Sequence, residues 1–311
     1  MEIELIGIAA ASTGQPGGIA DAIGVLRGLG LADQLATVVA VHDAGDLATG
    51  LHGADRGRSG LRNEPGLVAL VDGVRAAVGA ALARGRLPLL VGGDCPVLLG
   101  AVAAIRDRHG RCGLLMVDGH QDAWPPHQSP TGEASDSELG IALGMVGDQL
   151  PSRLAGLLPL LHAEAVTLLG PRDADELAAA GVASLAGTIA LHPEAAVHAA
   201  DPAALTASSL DRLGQVSPAW WLHVDLDALR TQDFPAVDYP QPGGLTWQEL
   251  SQITTTALHR PGCAGWSIAI YNPDLDPDRT SAHRLLDYLT RALTDLADPA
   301  RPGHDLQPHR V

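Results

Sequence analysis

Asp118, His120 and Asp122 stand at every second position of the segment Asp118-Gly119-His120-Gln121-Asp122. On extended backbone, side chains two residues apart point to the same side, so these three polar groups are expected to share one spot. Asp225 and Asp227 repeat the spacing in Asp225-Leu226-Asp227. Carboxylates gathered in one cleft repel one another unless a cation neutralises them. Carboxylates joined by an imidazole suit a divalent metal, and an oxygen-rich donor set favours Mn²⁺ or Mg²⁺ over softer-site ions. A third segment, Val91-Gly92-Gly93-Asp94-Cys95, adds a carboxyl and a thiol. Each segment alone also fits a turn with capping aspartates. Together, all at the ends of buried strands, they mark a site.

The elements that must position them alternate. Short apolar runs predict strands at Ile3–Ile8, Thr37–Val41, Pro88–Val91, Gly113–Val117, Ala165–Leu169, Thr188–Leu191, Trp220–Asp225 and Trp266–Tyr271. Helical spacing predicts helices at Ile19–Leu29, Gly66–Ala83, Pro96–Arg106, Leu139–Val146, Ala174–Ala180, Ala203–Leu213, Thr246–Leu258 and Ser281–Leu296. Strands alternating with helices argue for a parallel sheet covered on both faces, with ligands bound beyond the carboxyl ends of its strands. No linker or repeat divides the chain, so residues 1–311 read as one domain, with a polar surface loop at Asp43–Pro65 and a flexible tail over 298–311.

Composition narrows the partners. The 311 residues carry a formal charge of −16, which repels phosphate backbones and argues against nucleic acid. All 20 basic residues are arginine. Three cysteines (Cys95, Cys112, Cys263) give no disulfide framework and fit a reducing, cytoplasmic setting. The N-terminal stretch carries Glu2 and Glu4 and no basic region, so it reads as a first strand and not a signal peptide. No apolar run is read as a membrane span, so a membrane is not expected as a partner.

These segments resemble the signature motifs of the ureohydrolases, the arginase/agmatinase family. The motifs read GGDC, DGHQD and VDLDALRTQDFPAVDYPQPGGLT, followed by Tyr271-Asn272-Pro273, and they stand in the family's order. The N-terminal ASTGQPGGIADAIGVLRGLGL resembles the family's early Gly-rich loop and first helix. The resemblance implies a three-layer α/β/α arginase-like fold with a mainly parallel eight-stranded sheet. It implies a binuclear centre of two divalent ions, usually Mn²⁺, with Cys95, Asp118, Asp122 and Asp225 on one ion and His120, Asp118, Asp225 and Asp227 on the other. Asp118 and Asp225 would bridge, Asp122 would orient the attacking hydroxide, and Asp94 would support the site from behind. The implied reaction is attack of a metal-bridged hydroxide on the carbon of a guanidino, hydroxyguanidino or related amidine compound, releasing urea or a urea analogue. The implied assembly is a homo-oligomer, trimer or hexamer.

The chain departs from the family's pattern at three places. Cys95 stands where the family has histidine; thiolate favours Zn²⁺, Fe²⁺ or Co²⁺ over Mn²⁺, and a cysteine here is similar to the hydroxyarginine hydrolase branch. The other reading of Cys95 is a buried thiol that does not bind. Ile270 stands where the family commonly has a glutamate that grips the guanidinium group, and an apolar side chain cannot pair with a planar cation. The family's proton-shuttling histidine is missing: aligning on Gly140 puts Leu139 there, leaving Glu138, Asp136, Glu133 and His127 as groups that could stand in. Trp124 is expected to wall the pocket, Trp221 to pack in the sheet, and His223 to make a structural hydrogen bond. The alternatives to a guanidine hydrolase are a hydrolase of a neutral amide-like substrate on the same site, or a catalytically silent homologue with a binding role.

Overall fold

Leu114 to Val117 and Trp220 to Val224 are buried on both faces, and burial of this kind belongs to the centre of a parallel sheet. The computed structural model describes residues 2–50, 52–146 and 149–297; the expected tail, 298–311, lies outside the described residues. The strands are β1 (Glu2–Ala9), β2 (Ala40–Ala48), β3 (Leu87–Val91), β4 (Gly113–Val117), β5 (Val166–Leu169), β6 (Ala190–His192), β7 (Trp220–Asp225) and β8 (Cys263–Ala269). They form one eight-stranded sheet in the order β2-β1-β3-β8-β7-β4-β5-β6. Every pairing in it is parallel.

Alternation along the strands sends successive side chains into two separate cores. Leu89, Val91, Leu115, Val117, Leu222 and Val224 join one core, with the helices Pro202–Val216, Trp247–His259 and Thr280–Ala297. Leu90, Leu114, Met116 and Trp221 join the other, with Glu64–Ala83 and Val97–His109. The result is the expected three-layer α/β/α fold. Trp221 packs in the sheet, its indole N–H donating to Ser267 Oγ at 2.8 Å.

Five expectations need correction. The strand expected at Thr37–Val41 begins at Ala40, because the preceding helix Leu31–Ala36 continues into Thr37, and it runs on to Ala48. That strand takes the first part of the expected loop Asp43–Pro65; as an edge strand with exposed, polar residues it shows no apolar run. The helix expected over Leu139–Val146 is only Glu138–Ala142. The last strand ends at Ala269, before Ile270, whose φ of 73° is incompatible with a continuing strand. Finally, Glu64–Ala83 is long and apolar enough to cross a membrane by length and composition. Here one face of it, including Leu67, Leu70, Val74 and Val78, is buried in the second core.

The strand order determines where the site falls. β3, β8, β7 and β4 are neighbours, and their carboxyl ends lead into Cys95, Ile270, Asp225 and Asp118. β3 and β4 follow each other in the chain yet are separated by β8 and β7, the kind of switch point beside which open α/β sheets bind ligands. After β3 the backbone turns through Gly92 (φ 96°) and Gly93 (φ 66°), and a Cβ on Gly93 would stand 2.5 Å from Ile8 Cγ2. The Ile270 N–H donates to Gly93 O at 2.9 Å, which ties the turn to the end of β8.

Beyond Ile270 the chain is anchored by Asp276. Its carboxylate accepts the Ser281 N–H (3.0 Å), the Ala282 N–H (2.9 Å) and the Tyr271 hydroxyl (2.8 Å), so one buried group caps the helix Thr280–Ala297 and holds the segment beside the site. Asp276→Ala is expected to lower stability by about 2 kcal/mol, from the lost cap and the stranded hydroxyl. Urea unfolding measures it; a loss below about 0.5 kcal/mol would contradict the anchoring role.

Candidate metal centre

Asp118 is the first residue past β4 and is fully buried. Its Oδ1 accepts the His120 N–H at 2.7 Å, while its Oδ2 has no hydrogen-bond partner among the described residues. Asp225 closes β7: its Oδ1 accepts the Asp227 N–H at 2.6 Å, and its Oδ2 receives the Cys95 thiol at 2.8 Å. Asp227 accepts the Gly119 N–H at 3.1 Å and lies 2.9 Å from His120 Nδ1.

The spacing argument placed Asp118, His120 and Asp122 on one side of an extended segment. The segment bends instead, because the strand ends at Val117 and Asp122 adopts φ 46°. Two groups result. Donor atoms of Cys95, Asp118, Asp122 and Glu138 all lie within 4.8 Å of one another, as do those of Asp118, His120 and Asp227. Asp118 belongs to both, and Asp225 touches both through Cys95 and Asp227. His223 donor atoms also lie within 4.8 Å of those of Cys95 and Asp118. Its Nδ1 makes the expected structural bond, 2.7 Å from Ser267 Oγ, while Nε2 has no partner.

The electrostatics of this cluster call for a cation. Burial first, and mutual repulsion second, push the Asp118 and Asp122 carboxyls well above the ordinary carboxylate range. The same two causes act on Asp225, and burial chiefly on Glu138. Burial and the neighbouring carboxylates also raise the Cys95 thiol. Burial opposes a charge on His120, but Asp227, Asp225 and Asp173 outweigh it and raise the imidazole to about 9. Burial works against the charge of Asp227 too, but His120 and Arg172 overcome it and lower its carboxyl. Among the described residues, buried oxygens of Asp118 and Glu138 and Nε2 of His223 are left without partners. Unsatisfied donors and acceptors of this kind, converging as carboxylate, thiol and imidazole, fit divalent ions.

Above the cluster lies a cavity of about 260 Å³. His120, Asp122, Asp225 and Asp227 form its floor, and Trp124, Tyr239 and Ile270 are among its walls, with Glu176, Asp136 and Asp238. Asp94 does not line it: behind the turn it accepts the Ser12 N–H at 2.6 Å, and burial raises its carboxyl to about 6. Of the groups considered for proton transfer, Glu138 is in the cluster. His127 is not: it is exposed, with Nε2 2.8 Å from Gln149 Oε1. Asp136 lines the cavity and accepts from the Ser129 and Thr131 hydroxyls. Glu133 accepts from Tyr239 OH at 3.1 Å and is pushed up to about 7 by burial, Asp94 and Asp136. Sequence reasoning missed Tyr239 and Glu176. Tyr239 does lie within the long motif, at an unusual φ of 56° shared in kind by Asp122 and Ile270.

A model of the arginase family matches residues 12–293. The arginase of Bacillus caldovelox is 30% identical over 216 residues, which span 67% of this chain and 70% of that protein. Its native crystal structure superposes with a TM-score of 0.79 at 24% identity, covering 96% of this chain and 99% of that one. The formimidoylglutamase of Bacillus subtilis superposes with a TM-score of 0.72 at 18% identity, covering 95% and 87%.

The buried carboxyls give the metal-free chain a definite pH dependence. In the folded state they keep protons that unfolded carboxyls release near pH ~4, so the folded chain binds more protons and stability falls as pH rises. For Asp94 and Glu133 the fall extends to about 6 and about 7. His120 acts in the same direction: its contribution is complete below its ordinary 6.5 and is lost as pH rises through about 9. Asp227 runs the other way, as does His223, whose imidazole burial lowers to about 3, but they are outnumbered in this cluster by the raised groups. Chelated protein is therefore expected to melt at lower temperature at pH 8 than at pH 5.5, and metal is expected to remove that loss by displacing the protons. Calorimetric scans test this; a chelated protein that is more stable at pH 8 would contradict it.

Proposed function

The chain belongs to the arginase family of hydrolytic enzymes, and from that premise we propose that it cleaves a C–N bond of a guanidino, hydroxyguanidino or related amidine compound at a two-metal site, releasing urea or a urea analogue. The observation that carries this reading is Asp118: one buried carboxylate, shared by two donor groups beneath a cavity that His120, Asp122 and Asp227 line, and keeping an oxygen without a partner. Divalent ions bound there would supply Lewis acidity and an activated water at neutral pH. The ions are Mn²⁺ or, given the thiol of Cys95, Zn²⁺, Fe²⁺ or Co²⁺.

The chain's own groups divide the remaining work. Cys95, Asp118, Asp122 and Asp225 would hold one ion, and Asp118, His120, Asp225 and Asp227 the other. Asp122 also lines the cavity, where it can accept a hydrogen bond from the attacking water and fix its direction. Trp124 and Tyr239 limit the approach of a planar substrate carbon, and Glu176, Asp136 and Asp238 make the walls acidic with no arginine among the lining residues. That field favours a substrate bearing positive charge away from the reacting carbon.

Ile270 refines the choice. It lines the cavity and offers no carboxylate to a guanidinium. A hydroxyguanidine is a weaker base than a guanidine and loses less when its planar group meets an apolar wall, so we place hydroxyguanidines ahead of simple guanidines. The same observation favours, as a second reading, a neutral amide-like substrate. The reading also includes a homo-oligomer, trimer or hexamer, from the family resemblance. It includes a cytoplasmic setting, supported by three buried cysteines without a disulfide.

A panel of guanidines, hydroxyguanidines and amides, assayed for urea, hydroxyurea and released acid, tests the reaction. Hydroxyguanidine turnover is expected to exceed guanidine turnover. Asp118→Asn and Asp225→Asn are each expected to lower kcat about 1000-fold or more. Substantial activity in either variant would contradict the shared-carboxylate arrangement, and acid release from amides alone would transfer the assignment to the second reading.

A further inference from the structure

Glu138 opens the short helix Glu138–Ala142 and is fully buried. The N–H groups of the two following residues, Leu139 and Gly140, both donate to the Asp122 backbone carbonyl, at 3.0 and 3.1 Å. The helix start is thereby clamped to the bend that carries Asp122, and the two carboxylates are held toward the same point. Neither oxygen of Glu138 meets an N–H or hydroxyl donor among the described residues; its neighbour is the Asp122 carboxyl, with which it shares a hydrogen bond only while one of the two keeps a proton. A buried carboxylate left so is costly, and native structures rarely keep one without an ion, a water or a donor to meet it. Among the described residues Glu138 makes no ion pair with an arginine or histidine, and Arg172 serves the other group, donating to the Asp227 carbonyl at 2.7 Å.

The group that Glu138 does join has the composition of an ion cage. Its donor atom lies within 4.8 Å of those of Cys95, Asp118 and Asp122, and each of these lies as close to the others. One sulfur and three carboxylate oxygens converge on one point, and with the Asp225 carboxylate that the Cys95 thiol touches they offer five donors to one ion. Cys95 and Glu138 come from unconnected elements, the turn after β3 and the helix start at residue 138, so their convergence is a property of the fold and not of local spacing.

We propose that Glu138 is a direct ligand of the ion that Cys95 holds, so that this ion sits in a cage of thiolate and carboxylates. The inference rests on the two-ion reading above and adds a donor to it. A glutamate bound to the ion has its one negative charge committed there and is not free to shuttle protons. The mixed cage also moves the preference of this position from Mn²⁺ toward Zn²⁺, Fe²⁺ or Co²⁺ through its sulfur.

The test uses the full chain, stripped of metal and titrated with Co²⁺ while the sulfur-to-cobalt charge-transfer band and the binding isotherm are recorded. Wild type is expected to take up two ions, one of which brings up the band. In Glu138→Gln that ion is expected to weaken by roughly 100-fold or more, beyond the usual effect of losing a supporting residue, with the band shifted or lost. The other ion is expected to change by less than about tenfold, because Glu138 does not touch it and the two ions share only Asp118 and Asp225. Glu138→Asp keeps a charge that the fold already tolerates but withdraws it by one methylene. It is expected to fall between the two and serves if the glutamine variant does not fold. Variants that bind both ions with wild-type affinity and an unchanged band overturn the proposal, and loss of turnover in such variants would reassign Glu138 to proton transfer. Wild type that binds no ion would sink the two-metal reading itself, a separate result.

Discussion

Like charges buried together are the constraint on which the rest of this structure depends. Asp118, Asp122, Glu138, Asp225 and Asp227 are all buried in two adjoining donor groups that meet at Asp118 and Asp225. Two carboxylates ~4 Å apart repel by about 4 kcal/mol at an effective dielectric of ~20. Without a counter-charge most of them must keep their protons, and His120 must keep one as well. Two dications would turn these groups into ligands, and the same burial that penalises the bare charges would strengthen their hold on the ions.

The sheet makes that concentration of charge possible. Apart from the mutually hydrogen-bonded His223 and Ser267, its central strands β3, β8, β7 and β4 are apolar on both faces, so the acidic groups enter where the strands end. Placing β8 and β7 between β3 and β4 brings their carboxyl ends side by side and sets the Cys95 turn next to the ends that carry Asp225 and Asp118. The connections then do the fine work: two glycines at positive φ carry the chain to Cys95, the bend at Asp122 splits its motif between two donor groups, and the carbonyl of Asp122 captures the helix that begins at Glu138. The walls above follow from the same elements, since Ile270 is the first residue beyond β8.

Much of this was legible in the residues, for physical reasons that also mark where legibility ended. β4 and β7 lie where the apolar runs put them, because a strand buried on both faces leaves a continuous signal. β2 was misplaced because an edge strand exposes polar residues and leaves none. The convergence of the two Asp-rich segments could be read from their position after buried strands. How their members divide could not, since it turns on the bend at Asp122, a backbone feature with no spacing signature. Glu138 could be singled out as a carboxyl near the site, but its place beside Cys95 depends on a contact between distant elements. His127 looked equivalent in sequence and is exposed, bonded to Gln149.

The central claim is that two ions occupy the space between these carboxylates. Anomalous diffraction from a crystal of the metal-loaded protein tests it most directly. The account predicts two peaks in the cluster, one about 2.3 Å from Cys95 Sγ and the other about 2.1 Å from a nitrogen of His120, with Asp118 in reach of both. A loaded crystal with no peak there, or with the carboxylates turned onto arginines, would contradict it.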